Sequence, residues 1–148
     1  MKTSQVQHTL MAYLRHELCT PINATIGYSA MLLEELRTQP ESIFVADLDK
    51  IHTCSQQLSI LVNKILDPVQ LEMSQIDGEL SRFGAELRME LLTPLSTIIG
   101  YCEMLLEEAP AALISDLDKI HMAAHQLLSL VNDIVHLAQQ QLQQLTVP

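Results

Sequence analysis

One segment of the chain combines an imidazole, a carboxylate, a hydroxyl and a proline at close spacing. His16 is followed directly by Glu17, and Thr20 and Pro21 come about one helical turn later. A neutral imidazole is a good nucleophile, and a neighbouring carboxylate can orient the ring or accept its proton. The chemistry that this segment could perform is therefore transfer of a group to and from His16.

The spacing of the apolar residues predicts which way the imidazole points. At about 100° per residue, Leu14 and Leu18 define the core side of a helix, and His16 lies on the opposite, solvent side. The residues that share or border this outer stripe are Cys19, Thr20, Asn23 and Gly27. They are small or polar, which suits a partner that approaches the helix closely.

The segment belongs to an internal repeat. Residues 14–22 return as residues 87–95, at an offset of 87 − 14 = 73. Residues 47–52 return as residues 116–121, at an offset of 116 − 47 = 69, so the second repeat has the shorter internal loop. Because two repeats are too few for a stable solenoid, each repeat is interpreted as one half of a duplicated bundle.

The second half of each repeat shows apolar or small residues in alternating steps of four and three, as in helices packed like a coiled coil. In the first repeat these positions are Phe44, Leu48, Ile51, Ser55, Leu58, Val62, Ile65 and Val69. In the second repeat they are Leu113, Leu117, Ile120, Ala124, Leu127, Val131, Ile134 and Ala138. Aromatic residues make up only 3% of the chain, which disfavours sheets. We therefore predict an all-α, up-down-up-down antiparallel four-helix bundle of two pseudo-symmetric helical hairpins.

The predicted bundle is a single domain of residues 1–148, with hairpin one at residues 4–76 and hairpin two at residues 79–145. Asp77-Gly78 separates the hairpins, and residues 38–41 (Thr-Gln-Pro-Glu) are predicted to form a capping box between the first two helices. Pro21 and Pro94 lie inside helical segments and are expected to kink them.

Composition excludes several function classes. The net charge of −10 disfavours a nucleic-acid partner, since phosphate binding needs a basic patch. No apolar run approaches the ~18–20 residues needed to cross a bilayer, so no membrane insertion is expected. The three cysteines are odd in number and form no Cys-x-x-Cys, which predicts reduced thiols and a cytoplasmic location.

Two histidines in the second repeat have the spacing of metal ligands. His121 and His125 are four residues apart, so both could reach one ion. However, no pairing of carboxylate and histidine recurs on facing helices as a di-metal bundle would need. We therefore predict no metal and no cofactor.

The segment around His16 resembles the dimerisation and histidine-phosphotransfer (DHp, or HisKA) domain of bacterial sensor histidine kinases. The pattern of that family, His-Glu-x-x-Thr/Asn-Pro-Leu/Ile, is met by residues 16–22, and Ile26-Gly27-Tyr28 follows. The resemblance extends over both repeats. In that family two hairpins from two subunits form one four-helix bundle, so this chain resembles both hairpins fused into a monomeric pseudo-dimer.

The resemblance implies a role for each matching residue. His16 would be the phospho-acceptor, Glu17 its acid/base partner, and Thr20 a residue that helps to place water for dephosphorylation. Pro21 would form the kink below the histidine. The outer faces of the first two helices, including Cys19, Asn23 and Gly27, would contact the receiver domain of a response regulator. A separate histidine kinase is the other expected partner.

Two departures from the family pattern leave alternatives open. The second repeat has Met89 in place of the histidine, although Glu90, Thr93 and Pro94 persist. No Asp-x-Gly-x-Gly element occurs, so autonomous ATP-dependent kinase activity is not expected. One hypothesis is phosphotransfer through His16. The other is a non-catalytic module that binds and modulates a regulator or kinase, with His16 an ordinary exposed histidine and Thr20 retained through shared ancestry or packing.

Overall fold

The protein is described by a computed structural model that covers the backbone of residues 2–38, 42–66 and 79–146, and the side chains of residues 12–38, 42–66 and 85–136. Its long helices are α1 (Lys2–Glu35), α2 (Phe44–Ile65), α3 (Glu79–Glu108) and α4 (Ala111–Thr146). A short 3-10 helix, Leu36–Thr38, follows α1. No strand occurs within these described ranges, which confirms the all-α prediction.

The four helices pack as a closed ring. α1 contacts α2 and α4, and α3 also contacts α2 and α4, so α1 and α3 lie on one diagonal and α2 and α4 on the other. Helices that follow one another in the chain are therefore neighbours in space, and the last helix returns to the first. This arrangement confirms the predicted four-helix bundle.

One apolar core runs along the bundle, and every helix contributes a seam to it. The fully buried large side chains in the core include Leu18, Ile22, Leu32, Leu48, Ile51, Leu58, Leu66, Leu87, Leu91, Leu95, Ile98 and Leu117. The steps of four and three predicted for α2 and α4 are confirmed from Leu48 to Val62 and from Leu113 to Ile134. Phe44 and Ile65 are only partly buried, while the side chains of Val69 and Ala138 lie outside the described residues.

Two lysine–tyrosine pairs join the hairpins and show the pseudo-symmetry directly. Lys50 Nζ in α2 donates a hydrogen bond to Tyr101 Oη in α3 at 3.0 Å, which raises the pKa of Lys50. Lys119 Nζ in α4 lies 5.2 Å from the ring centroid of Tyr28 in α1. The two lysines are equivalent at the offset of 69, and the two tyrosines at the offset of 73. Each hairpin therefore gives one cation and one ring to its neighbour.

The core departs from this symmetry at three buried hydroxyl groups in the first hairpin. Thr25, Ser29 and Ser55 each donate a hydrogen bond to a backbone carbonyl of their own helix. The residues at the equivalent positions of the second hairpin are Ile98, Cys102 and Ala124. Ser29 Oγ also lies 3.0 Å from His52 Nδ1. The first hairpin therefore has a polar side-chain contact at the position where the second hairpin has Cys102.

The connection between α1 and α2 differs from the predicted capping box. Thr38 belongs to the 3-10 helix, and its hydroxyl donates to the carbonyl of Glu35 at 3.4 Å. α2 begins only at Phe44, whose N–H donates to Ser42 Oγ, and the preceding Ile43 provides no side-chain cap. The prediction of a capping box at residues 38–41 was wrong, because Thr38 ends the 3-10 helix and the N-cap of α2 is Ile43. Residues 39–41 and the separator at 77–78 lie outside the described residues.

The second hairpin has a much tighter connection. Only Ala109 and Pro110 stand between α3 and α4. The N–H of Ala109 donates to the carbonyl of Leu105, and the N–H of Leu113 donates to the carbonyl of Pro110. This agrees with the shorter internal loop predicted for the second repeat.

One stretch of α3, Ala85–Glu108, is long and apolar enough to cross a membrane by length and composition alone, with a mean hydropathy of 1.2. The prediction that no segment would approach this criterion was therefore wrong. The same stretch supplies a seam of the bundle core, from Leu87 to Leu105. A helix that contributes to a core is also long and apolar, so the length and composition of this stretch are weak support for a membrane span.

Candidate functional site

The structure places His16 on the outer surface of α1. Leu18, two residues further on, is fully buried, and Leu14 is partly buried against the core. His16 itself is exposed. The imidazole therefore projects away from the apolar seam, into the solvent, at the position where a macromolecular phosphoryl donor or acceptor could reach it.

Glu17 and Thr20 lie close to His16 on α1, but among the described residues neither forms a hydrogen bond with its ring. Glu17 is half-buried, and within the described part of the chain it forms no hydrogen bond or ion pair with His16. The Thr20 hydroxyl donates to the main-chain carbonyl of His16 at 3.0 Å. The hydroxyl proton is directed to its own helix, while the oxygen can still accept a hydrogen bond from a water molecule.

The rest of the outer stripe is open. Asn23 and Gly27 are exposed on the same side of α1 as His16, and a Cβ added at Gly27 would meet no atom within 4 Å. Cys19 is half-buried at the edge, where burial raises the pKa of its thiol and the Arg15 charge partly offsets this. The thiol is consequently a weak nucleophile near neutral pH, so among these residues His16 is the better candidate for group transfer.

Pro21 and Pro94 are both buried, inside helices that continue on either side of them. A proline has no N–H, so it removes the hydrogen bond to the carbonyl four residues earlier, here that of Glu17 or Glu90. The free carbonyl of Glu17 lies directly after His16. The structure shows that neither proline ends its helix, while the kink stays a prediction.

The second repeat keeps most of the residues of the candidate site but has no histidine at the position of His16. Met89 occupies the position of His16, and its side chain is 77% exposed. Glu90 and Thr93 are also exposed, and Pro94 is buried like its counterpart. The bundle therefore presents two similar outer faces, one of which carries an imidazole and the other a thioether.

The comparison with protein families identifies this arrangement. The His Kinase A (phospho-acceptor) domain family matches residues 6–74 and, in tandem, residues 79–143. The chain belongs to this family. The two matches correspond to the two hairpins, so the structure holds a duplicated His Kinase A domain within one chain. Membership places the protein in two-component signalling, as the motif at residues 16–22 predicts.

Two curated relatives support this assignment. The chain is 35% identical over 75 residues to hybrid signal transduction histidine kinase K of Dictyostelium discoideum, a match covering 51% of this chain and 6% of that protein. It is 30% identical over 117 residues to hybrid signal transduction histidine kinase A of the same organism, covering 79% of this chain and 5% of that protein. The match therefore spans about one-twentieth of each relative. No solved structure matches the chain.

Sequence reasoning missed one group of residues that the fold brings together. Glu103 of α3 lies beside His121 and His125 of α4. The two histidines were visible from their spacing, but their carboxylate neighbour is 18 residues away in the chain. Only the register between α3 and α4 shows that it is close, and that register cannot be read from the spacing.

Proposed function

We propose that this chain performs histidine phosphotransfer in a two-component pathway, with His16 exchanging a phosphoryl group with the aspartate of a response-regulator receiver domain. The observation that carries the proposal is the exposure of His16 within the first stretch that the His Kinase A family matches. The resemblance of residues 16–22 to the family motif supports His16 as the phospho-acceptor. The curated relatives are named as hybrid signal transduction histidine kinases, which favours a partner from the same class of pathway.

The transfer requires little covalent chemistry from the protein. A lone pair on the neutral imidazole attacks the phosphorus of an aspartyl phosphate in line with the bond that breaks. A P–N bond forms, the P–O bond breaks, and its electron pair returns to the aspartate carboxylate. Glu17 stabilises or accepts the remaining ring proton once the partner closes over the site, because acid/base contacts often form only in the complex.

Positioning is the main contribution of the bundle. Leu18 and Ile22 are fully buried and fix α1 against the core, so His16 is presented on a rigid rod. The open stripe through Asn23 and Gly27 gives the receiver domain room to approach the main chain of α1. The residues of this chain that contact the receiver domain are thus Cys19, Asn23 and Gly27.

A matched pair of glycines tests the approach of the partner. Replacing Gly27 by Leu is expected to slow phosphotransfer through His16 by at least about tenfold, or ~1.4 kcal/mol, because the new side chain stands where the receiver would lie. Gly100→Leu is the control, since Gly100 is equally open but belongs to the face without the histidine. Both changes are expected to stabilise their helix by up to about 1 kcal/mol. Equal transfer rates for the two variants, measured at subsaturating receiver, would argue against docking on this stripe.

The direct test measures whether the chain accepts a phosphoryl group and whether it then passes the group on. The chain is incubated with an active histidine kinase and ATP, or with a receiver domain phosphorylated on its aspartate. We expect an acid-labile, alkali-stable label on this chain and its passage to an unphosphorylated receiver. The proposal is overturned if the kinases and receivers that bind the chain all leave it unlabelled.

A second candidate function is a non-catalytic module that binds and modulates a response regulator or histidine kinase. The observation in its favour is Met89, an exposed apolar side chain at the acceptor position of the second repeat. This function needs only the surface of the bundle. If His16→Ala binds a partner and alters its output as strongly as the unchanged protein, the second candidate is correct.

A further inference from the structure

Three potential metal ligands converge on the surface of the second hairpin. Glu103 Oε1 in α3 lies 3.2 Å from His121 Nε2 in α4, and His121 Nε2 lies 3.2 Å from His125 Nε2. All three ligand atoms lie within 4.8 Å of one another. The set therefore joins two helices and brings one carboxylate and two imidazoles close together on the surface.

Two of the three separations suit a tetrahedral ion. With metal–ligand distances near 2.0–2.1 Å, two ligands of a tetrahedral Zn²⁺ ion are separated by about 3.3 Å. The two 3.2 Å distances are close to this value. The exposed side chains of Glu103 and His125 turn toward each other on binding, so that their ligand atoms, which lie within 4.8 Å, reach the same separation. The side chains of His121 and Glu103 are 24% and 58% exposed, so an ion can enter directly from solvent and keep a water molecule as its fourth ligand.

The equivalent positions of the first hairpin, all within the described residues, hold different side chains and contacts. His52 is equivalent to His121, but its ring contacts the buried hydroxyl of Ser29. In the second hairpin Cys102 stands at the position of Ser29. A neutral thiol is a weak hydrogen-bond partner, and His121 contacts Glu103 and His125 instead. The residues equivalent to Glu103 and His125 are Ala30 and Gln56.

We propose that Glu103, His121 and His125 form a Zn²⁺ site that ties α3 to α4. The site shares no residue with the proposed phosphotransfer site, since its three ligands lie on α3 and α4 and His16 lies on α1. A bound ion fixes the register of the second hairpin and leaves an open coordination position on the surface, where a ligand atom from a partner can bind.

The experiment is a titration of the purified, reduced chain with Zn²⁺ by calorimetry, and with Co²⁺ as a spectroscopic probe of tetrahedral coordination. One equivalent of ion is expected to bind. Glu103→Ala and His125→Gln install the residues of the first hairpin, and each is expected to weaken binding at least about tenfold. Removing even a group that only orients a metal ligand has an effect of roughly that size.

His52→Gln is the matched control, because it removes the equivalent histidine of the first hairpin and leaves the three ligands in place. It is expected to bind Zn²⁺ as the unchanged chain does. A Cys19→Ser, Cys54→Ser variant with unchanged affinity would exclude the half-buried thiols as ligands. The proposal is overturned if the chain binds no ion, or if Glu103→Ala and His125→Gln, shown by circular dichroism to be folded, bind with unchanged affinity.

Discussion

A histidine placed at Met89 is expected to restore phosphoryl acceptance to a chain that has lost His16. The His16→Ala variant should accept less than about 1% of the label of the unchanged chain, because the attacking atom is gone. Adding Met89→His should raise acceptance at least about tenfold above that background. The reason is that the second repeat keeps Glu90, Thr93 and Pro94 around an exposed position.

The outer face near Met89 supports the same expectation. Ser96 and Gly100 are exposed at the positions equivalent to Asn23 and Gly27, so a receiver domain meets a similarly small surface. Met89→Gln in the His16→Ala background is the control, since glutamine is polar and of similar size but is no phospho-acceptor. If His16→Ala, Met89→His stays unlabelled by a receiver that still binds it, the two faces are not functionally equivalent.

Glu17 lies beside His16, and Glu90 lies beside Met89. Substitution of either carboxylate is expected to change only the rate of transfer through a histidine on its own face. Glu17→Gln should slow transfer through His16 by about 10²- to 10⁴-fold, the usual contribution of an acid/base group. Glu90→Gln should leave that transfer unchanged, because Glu90 lies on the face of Met89. In the His16→Ala, Met89→His background, Glu90→Gln should slow transfer and Glu17→Gln should leave it unchanged. Initial rates at saturating receiver measure the effect, so that weaker binding does not contribute.

The two carboxylates also provide a check on folding. Glu17 is half-buried and Glu90 is exposed, and neither belongs to the buried core. Both glutamine variants should therefore unfold at temperatures close to that of the unchanged chain. A slow Glu17→Gln variant with a strongly lowered melting temperature would indicate loss of structure rather than loss of an acid/base group.

Much of the fold could be predicted because the repeat and the heptad-like steps are local signals. The seam from Leu48 to Val62 follows directly from apolar spacing, and its copy in α4 follows at the offset of 69. The ends of helices were less predictable. Thr38 and Glu41 have the residue types of a capping box, yet the chain continues through a 3-10 turn and α2 starts at Phe44.

The position of His16 could also be predicted, since one leucine two residues away fixes the buried side of the helix. The contact between Thr20 and the carbonyl of His16 could not, because a threonine hydroxyl in a helix can either bond its own backbone or face solvent. The prediction of no metal site rested on the absence of a carboxylate–histidine pairing that recurs on facing helices. The packing of α3 on α4 brings Glu103 beside His121 and His125.

The tandem arrangement gives a physical reason for one chain to contain two hairpins. A single hairpin would expose an apolar seam, at a cost of ~1.5–3 kcal/mol for each large aliphatic side chain. Leu58 and Leu127, for example, are fully buried from opposite hairpins. Because the second hairpin completes the core, it can lose its histidine without loss of the fold. The two hairpins of one chain can therefore carry different residues, His16 and Met89, at equivalent positions. The two subunits of a dimer of identical chains cannot.

The most direct test of the central claim is to locate the phosphoryl group after transfer. The chain is labelled by a phosphorylated receiver domain, and tandem mass spectrometry under alkaline conditions and ³¹P NMR identify the modified residue. We expect one phosphoramidate, on the peptide that contains His16, and its disappearance in His16→Gln with the melting temperature unchanged. A phosphoramidate signal that persists in His16→Gln, or a chain that binds the receiver and never carries phosphate on His16, would contradict the account.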